Sequence, residues 1–171
     1  MDDKYLSPFY AQFESAMEFV LKYRIGKDGN CPALNEAGEA STDSNLDQED
    51  WDIEAVDLGG GKYLLASVSM APFSNLSLHW GDEFFADPAG ANALTLVSVV
   101  FPKKYEHFGV ITSGPFSNAD LSAKIVHELG GGWETVAGGM LTLTVPVSRV
   151  AEFHEMHRQQ QHLPGVLLFK P

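Results

Sequence analysis

Asp43, Asn45, Asp47 and Glu54 stand at positions 1, 3, 5 and 12 of a twelve-residue stretch, the spacing at which an EF-hand converges oxygens on calcium. The rest of the pattern departs from that chemistry. Position 6, which needs glycine for a sharp turn, holds Gln48, and position 8, usually apolar, holds Asp50. The residues that follow read as strand, where the motif needs helix. Dense acids generate this spacing by themselves, so no metal is assigned here.

The histidines give a second candidate. In "FHEMHRQQQH", His154 and His157 lie three apart on a helical stretch, with His162 just beyond. Two imidazoles at that spacing can share a transition metal. On a helical projection, however, His157 falls between Val150 and Phe153 in the apolar stripe, which reads as an imidazole at the core edge. The glycine runs are turns and not phosphate cradles. Gly59–Gly61 joins two strands with no helix N-terminus nearby, and Gly130–Gly132 follows a helix at its negative end. No G-x-S-x-G elbow appears. Cys31, the single cysteine, lies among acids that disfavour a thiolate. Carboxylates are plentiful, but nothing selects a pair held across a cleft. No cofactor and no catalytic residue are assigned.

Charge is distributed very unevenly. The 171-residue chain carries a formal −12, and residues 28–57 hold ten acids with no lysine or arginine. Such a surface repels phosphate, which argues against direct nucleic-acid binding and favours encounter with a basic protein. One cysteine allows no intrachain disulfide, no apolar run reaches the roughly 18 residues of a membrane span, and "MDDKYLSPFY" lacks the apolar core of a secretory signal. The expectation is a soluble cytoplasmic protein with no membrane partner.

These groups need elements to position them. Ser7-Pro8 reads as a helix start, and Phe9, Phe13, Met17, Val20 and Leu21 recur at helical spacing toward Arg24, with Glu18 and Lys22 as an exposed i,i+4 pair. Residues 27–50 are an aperiodic acidic loop. Trp51–Leu58 and Tyr63–Met70 form a hairpin across the glycines, Pro72–Gly90 is irregular with room for a short helix, and Ala93–Phe101 is a strand. His107–Thr112 is a further strand, near enough to pair with Ala93–Phe101 across Lys103-Lys104. A helix capped by Ser117/Asn118 runs to Leu129. A second hairpin (Trp133–Val136, Gly138-Gly139, Met140–Val145), a helix from Ser148 to about Gln161 and a strand at Gly165–Lys170 complete the chain.

The expected class is α+β. Residues 103–171 follow the β-α-β-β-α-β order of ferredoxin-like folds, and residues 1–102 extend that sheet or repeat it in degenerate form, as two units or as one compact domain. Both hairpins begin with tryptophan and turn on glycines, which is the basis for the repeat. The favoured function is non-enzymatic: an acidic protein that docks on a basic surface of a protein partner and inhibits or regulates it. Anti-CRISPR, DNA-mimic and immunity proteins work by this physics, an analogy of charge alone. The expected partner-binding residues are Asp43, Asp47, Glu49, Asp50, Trp51, Asp52 and Glu54, joined by Trp80, Asp82, Glu83 and Phe84, with aromatics as anchors inside a carboxylate rim. The alternative is a small-molecule-sensing regulatory module of ferredoxin-like type, with the ligand between sheet and helices.

Overall fold

"MEFVLKYR", residues 17–24, fits two periods at once, and the structure resolves the choice in favour of strand. The computed structural model describes residues 8–26, 32–68, 78–112, 117–136, 140–160 and 166–169. Within it the expected long helix is reduced to one turn, α1 (Pro8–Ala11), and Met17–Arg24 is strand β1. Phe19, Leu21 and Tyr23 point inward while Glu18, Val20, Lys22 and Arg24 point outward, the alternation a half-buried strand requires. Met17, which the helical stripe put inside, is more than half exposed. Pairing with β2 (Gln48–Gly59) gives β1 eight cross-strand partners, a gain that a lone surface helix cannot match.

Strands β1, β2, β3 (Lys62–Val68), β4 (Glu83–Pro88) and β5 (Ala93–Val99) form a closed barrel in chain order. Each is antiparallel to its predecessor, so the fifth runs in the direction of the first, and the closing β1–β5 pair has to be parallel, as observed. β2 is long enough to serve β1 with its first half and β3 with its second. Bulges at Glu54/Ala55, Asp57/Gly59 and Phe85/Ala86 add the bending that closure demands. Gly59, Gly60 and Gly61 all have positive φ and make the turn between β2 and β3. Leu21, Tyr23, Ile53, Leu65, Phe84, Leu94 and Leu96 fill the interior.

The second sheet contains β6 (Tyr105–Thr112), β7 (Gly132–Val136), β8 (Met140–Pro146) and β9 (Val166–Phe169) in the order β7-β8-β6-β9, with every neighbouring pair antiparallel. Helix α2 (Ser117–Glu128) connects β6 to β7. A 3-10 turn (Val147–Arg149) and α3 (Val150–Gln160) lie between β8 and β9. One core receives Phe108 and Val110 from β6, Leu141, Leu143 and Val145 from β8, Ile125, Val126 and Leu129 from the end of α2, and Phe153 from α3, so both helices cover the same face. At the end of α2, Gly130 N–H bonds to His127 C=O and Gly131 N–H to Val126 C=O, the paired closure of a Schellman motif.

The molecule is therefore mixed α+β, mostly antiparallel, with few helices. Its contacts divide it into two units, Ser15–Lys103 and Met1–Glu14 with Lys104–Pro171, so the first residues group with the far end of the chain and not with the rest of 1–102. Three expectations are corrected. The first half neither extends nor repeats the second sheet; it closes on itself, which leaves no edge on which to extend. β5 and β6 do not pair, because each already has two other neighbours. Pro72–Gly90 contains a strand, β4, that carries Phe84 inward and Phe85 outward. The part of that stretch at residues 72–77, the Ser7 cap, Cys31, the Gly138-Gly139 turn and His162 lie outside the described residues.

Candidate acidic docking face

The register of β1 on β2 decides what the acids do. On the outer face the opposed pairs are Arg24 with Gln48, Lys22 with Asp50, Val20 with Asp52, and Glu18 with Glu54. Asp50, Asp52 and Glu54 are two residues apart, so one side of β2 presents three carboxylates in a row, all exposed. Lys22 Nζ lies 3.9 Å from Asp50 Oδ2, at the limit of an ion pair between solvated groups. Glu18 and Glu54 are like charges placed directly opposite each other, an arrangement that opposes pairing.

Residue Asn92, in the β4–β5 turn region, accepts a backbone hydrogen bond from Val20 N–H at 2.8 Å and so lies against the same face. Glu18, Phe19, Val20, Asp52, Ile53, Glu54 and Asn92 together line a concavity of about 420 Å³. Its polar groups are three carboxylates and one amide. At the other end of the strands, Glu49 Oε2 accepts from the Tyr23 hydroxyl and from the Trp51 indole N–H, each at 3.1 Å. The Trp51 ring is half-buried against the barrel core and edge-on to Tyr23 at 6.0 Å. It is a wall of the barrel, not the free anchor expected of it.

Ahead of β2, Asp43 accepts from the backbone N–H of Asn45 at 2.9 Å and from its side-chain amide at 2.8 Å, which shapes the turn. Asp47 is exposed, and its backbone carbonyl holds Ile25 N–H, while Arg24 donates to Leu46 C=O at 3.0 Å. The loop is thus fastened to the end of β1 through its backbone, with the acids outward. Glu54 is seven residues along an extended strand from Asp47, about 20 Å at the rise of a strand. The EF-hand convergence is therefore ruled out by geometry. Among the described residues no three His, Cys, Asp or Glu side chains gather closely enough to hold a metal ion.

Burial corrects three residues of the second expected cluster, Asp82, Glu83 and Phe84. Phe84 has no exposed surface and stacks on Tyr63, with ring centroids 5.6 Å apart. Asp82 is 2% exposed, accepts Lys103 Nζ at 2.5 Å and His79 N–H at 2.8 Å, and pins the turn before β4. Glu83 is buried with Lys62 as its partner, and Trp80 is half-buried. These carboxylates are neutralised within the fold, because burial of a charge is tolerable only when it is paired.

The two histidines of α3 have different surroundings. His157 is buried beside Phe153, with centroids 5.9 Å apart, and burial followed by the charge of His154 holds its pKa below the usual value. His154 is exposed and stands edge-on to Phe108. Sequence reasoning put Glu18 on a helix and did not single out Asn92. The usable signal for Glu18 was the alternation in "MEFVLKYR"; for Asn92 there was none, since only the closure of the barrel brings it to β1.

No known family model matches the chain, and no curated protein matches it. The fold is similar to that of a hypothetical protein from Neisseria gonorrhoeae known from its crystal structure, with a TM-score of 0.53. That likeness covers 90% of this chain and 94% of the other at 10% identity, so it concerns fold alone. Among the described residues no helix is long and apolar enough to cross a membrane.

Proposed function

We propose that the acidic outer face of β1 and β2 docks on a basic surface of a protein partner and thereby inhibits or regulates it. One observation carries this reading: Glu18 and Glu54 oppose each other on an exposed sheet face, with Asp52 beside them, around a concavity. The like charges cost the free protein stability, and a partner lysine or arginine seated between them would remove that repulsion. The acids of the stretch 47–54 are exposed, which a steering surface requires. Trp80, Asp82, Glu83 and Phe84 have no part in the proposed surface, which consists of Glu18, Asp50, Asp52 and Glu54 on the strands and Asp47 in the loop before β2; Glu49, opposite the inward Tyr23, lies on the other side of β2.

The second sheet is best read as ferredoxin-like. Its element order, its all-antiparallel strand order β7-β8-β6-β9 and the placement of both helices on one face support that finer assignment. Since such folds host unrelated functions, the assignment adds nothing to the choice of partner.

Affinity capture from the source cell's extract, at low and at high salt, tests the docking reading. The expected result is a protein retained at low salt and lost at high salt, with Glu54→Lys abolishing retention and Glu128→Lys, an equal change of net charge on α2, leaving it intact. Capture indifferent to salt, or equally affected by the two substitutions, would overturn it.

A further inference from the structure

In an antiparallel sheet the N–H and C=O of one residue point to the same side, and successive residues alternate sides. Among the described residues β7 has a single neighbouring strand, β8, so alternate residues of β7 direct both backbone groups to its other side, into the place where another strand would lie. At Trp133 that place is taken by one side chain. The Tyr10 hydroxyl donates to Trp133 C=O at 2.9 Å and accepts from Trp133 N–H at 2.9 Å, although 123 residues separate the two in the chain. A single phenol oxygen thus does the work of both backbone groups of a neighbouring strand.

The seat of this side chain is built to match. Phe9 is buried, edge-on to Tyr10, Phe13 and Tyr105 at 5.2–5.4 Å. Its ring lies against Gly132, where a Cβ would run into it, so the first residue of β7 is a glycine that admits the ring. The hydroxyl occupies the edge and the neighbouring ring holds the sheet face. Tyr10 and Phe9 are adjacent in the chain, so the two contacts form and release together.

We propose that Pro8–Phe13 guards the β7 edge, and that lifting this guard lets β7 pair with the β7 edge of a second copy of the chain. A second copy fits because antiparallel pairing of a strand with itself is two-fold symmetric, so each outward N–H meets the C=O of its twin. Trp133, Thr135 and Val136 are strand-favouring residues, and Thr135, two positions after Trp133, directs its amide to the same edge. The proposal is independent of the acidic face on the barrel.

Sedimentation over a range of concentrations tests it with three full-length proteins: the parent, Tyr10→Phe, and Tyr10→Phe combined with Thr135→Pro. Proline at 135 removes an outward N–H and leaves the β7–β8 ladder intact. The parent mass is expected to stay constant, that of Tyr10→Phe to climb toward a dimer, and that of the double variant to stay constant again. Exchange of the Trp133 amide with solvent should quicken roughly tenfold in Tyr10→Phe, the scale of a lost hydrogen bond. If Tyr10→Phe does not fold, Gly132→Ala, which unseats Phe9 and retains the phenol, takes its place. A Tyr10→Phe mass no steeper than the parent's, or association that survives Thr135→Pro, overturns the proposal.

Discussion

In the barrel every strand has a hydrogen-bonded neighbour on both sides, whereas among the described residues β7 and β9 of the second sheet each have one. The two units also differ in charge: Ser15–Lys103 holds 14 acids against 5 bases, and the rest of the chain 9 against 6. Closure removes the edges, and with them the need for any side chain to shield backbone groups. The outside of the barrel is then free to carry exposed acids that repel each other. The open sheet has to commit side chains to its edge, and Tyr10 is one of them. A surface is available for recognition where the backbone is already satisfied.

The largest expected effects lie in the two cores. Phe84→Ala should cost about 3–5 kcal/mol and strip amide protection from β1–β5, and Phe108→Ala should do the same to β6–β9. Hydrogen exchange followed by mass spectrometry reads both, and equal loss across the whole chain from either variant would merge the two units into one. Next come the ion pairs of the barrel. Asp82→Asn removes the buried charge that pairs with Lys103 and should cost about 3 kcal/mol in denaturant melts, against less than about 1 kcal/mol for Asp50→Asn, whose pair with Lys22 is solvated.

Smaller again is a pH effect confined to the helix-backed sheet. The folded-state pKa of His157 is lowered, so its contribution is complete above the unfolded value near 6.5 and declines as pH falls from there toward the folded pKa. The slope should vanish in His157→Gln, as read by urea midpoints across that window. The smallest effect tests the acidic face itself: Glu54→Gln should stabilise the free barrel by about 0.2–1 kcal/mol, more at low salt. A destabilised Glu54→Gln would mean that Glu18 and Glu54 do not repel.

Local patterning carried the second sheet. Leu121, Ile125 and Leu129 fall on one helical stripe, the glycines after α2 end it, and the strand segments were recognisable from their β-forming residues. The hairpin of β2 and β3 was legible for the same reason. β1 was not, because Phe9, Phe13, Met17 and Leu21 imitate a helical stripe across what is really a turn followed by a strand. Closure of the barrel rests on the parallel pairing of Val20, Leu21 and Lys22 with Ala93, Leu94 and Thr95, contacts more than 70 residues apart that leave no local trace. The same distance problem hid the fate of the second acidic cluster. Nothing beside Asp82 and Glu83 announces that Lys103 and Lys62 will come to neutralise them, while the exposure of Asp50, Asp52 and Glu54 follows from simple alternation.

Trp51 donates its indole N–H to Glu49 at the end of β2, so its emission depends on the charge of that carboxylate. The protein therefore carries its own optical gauge, and a cationic visitor near β2 should register as a shift in fluorescence without any attached dye.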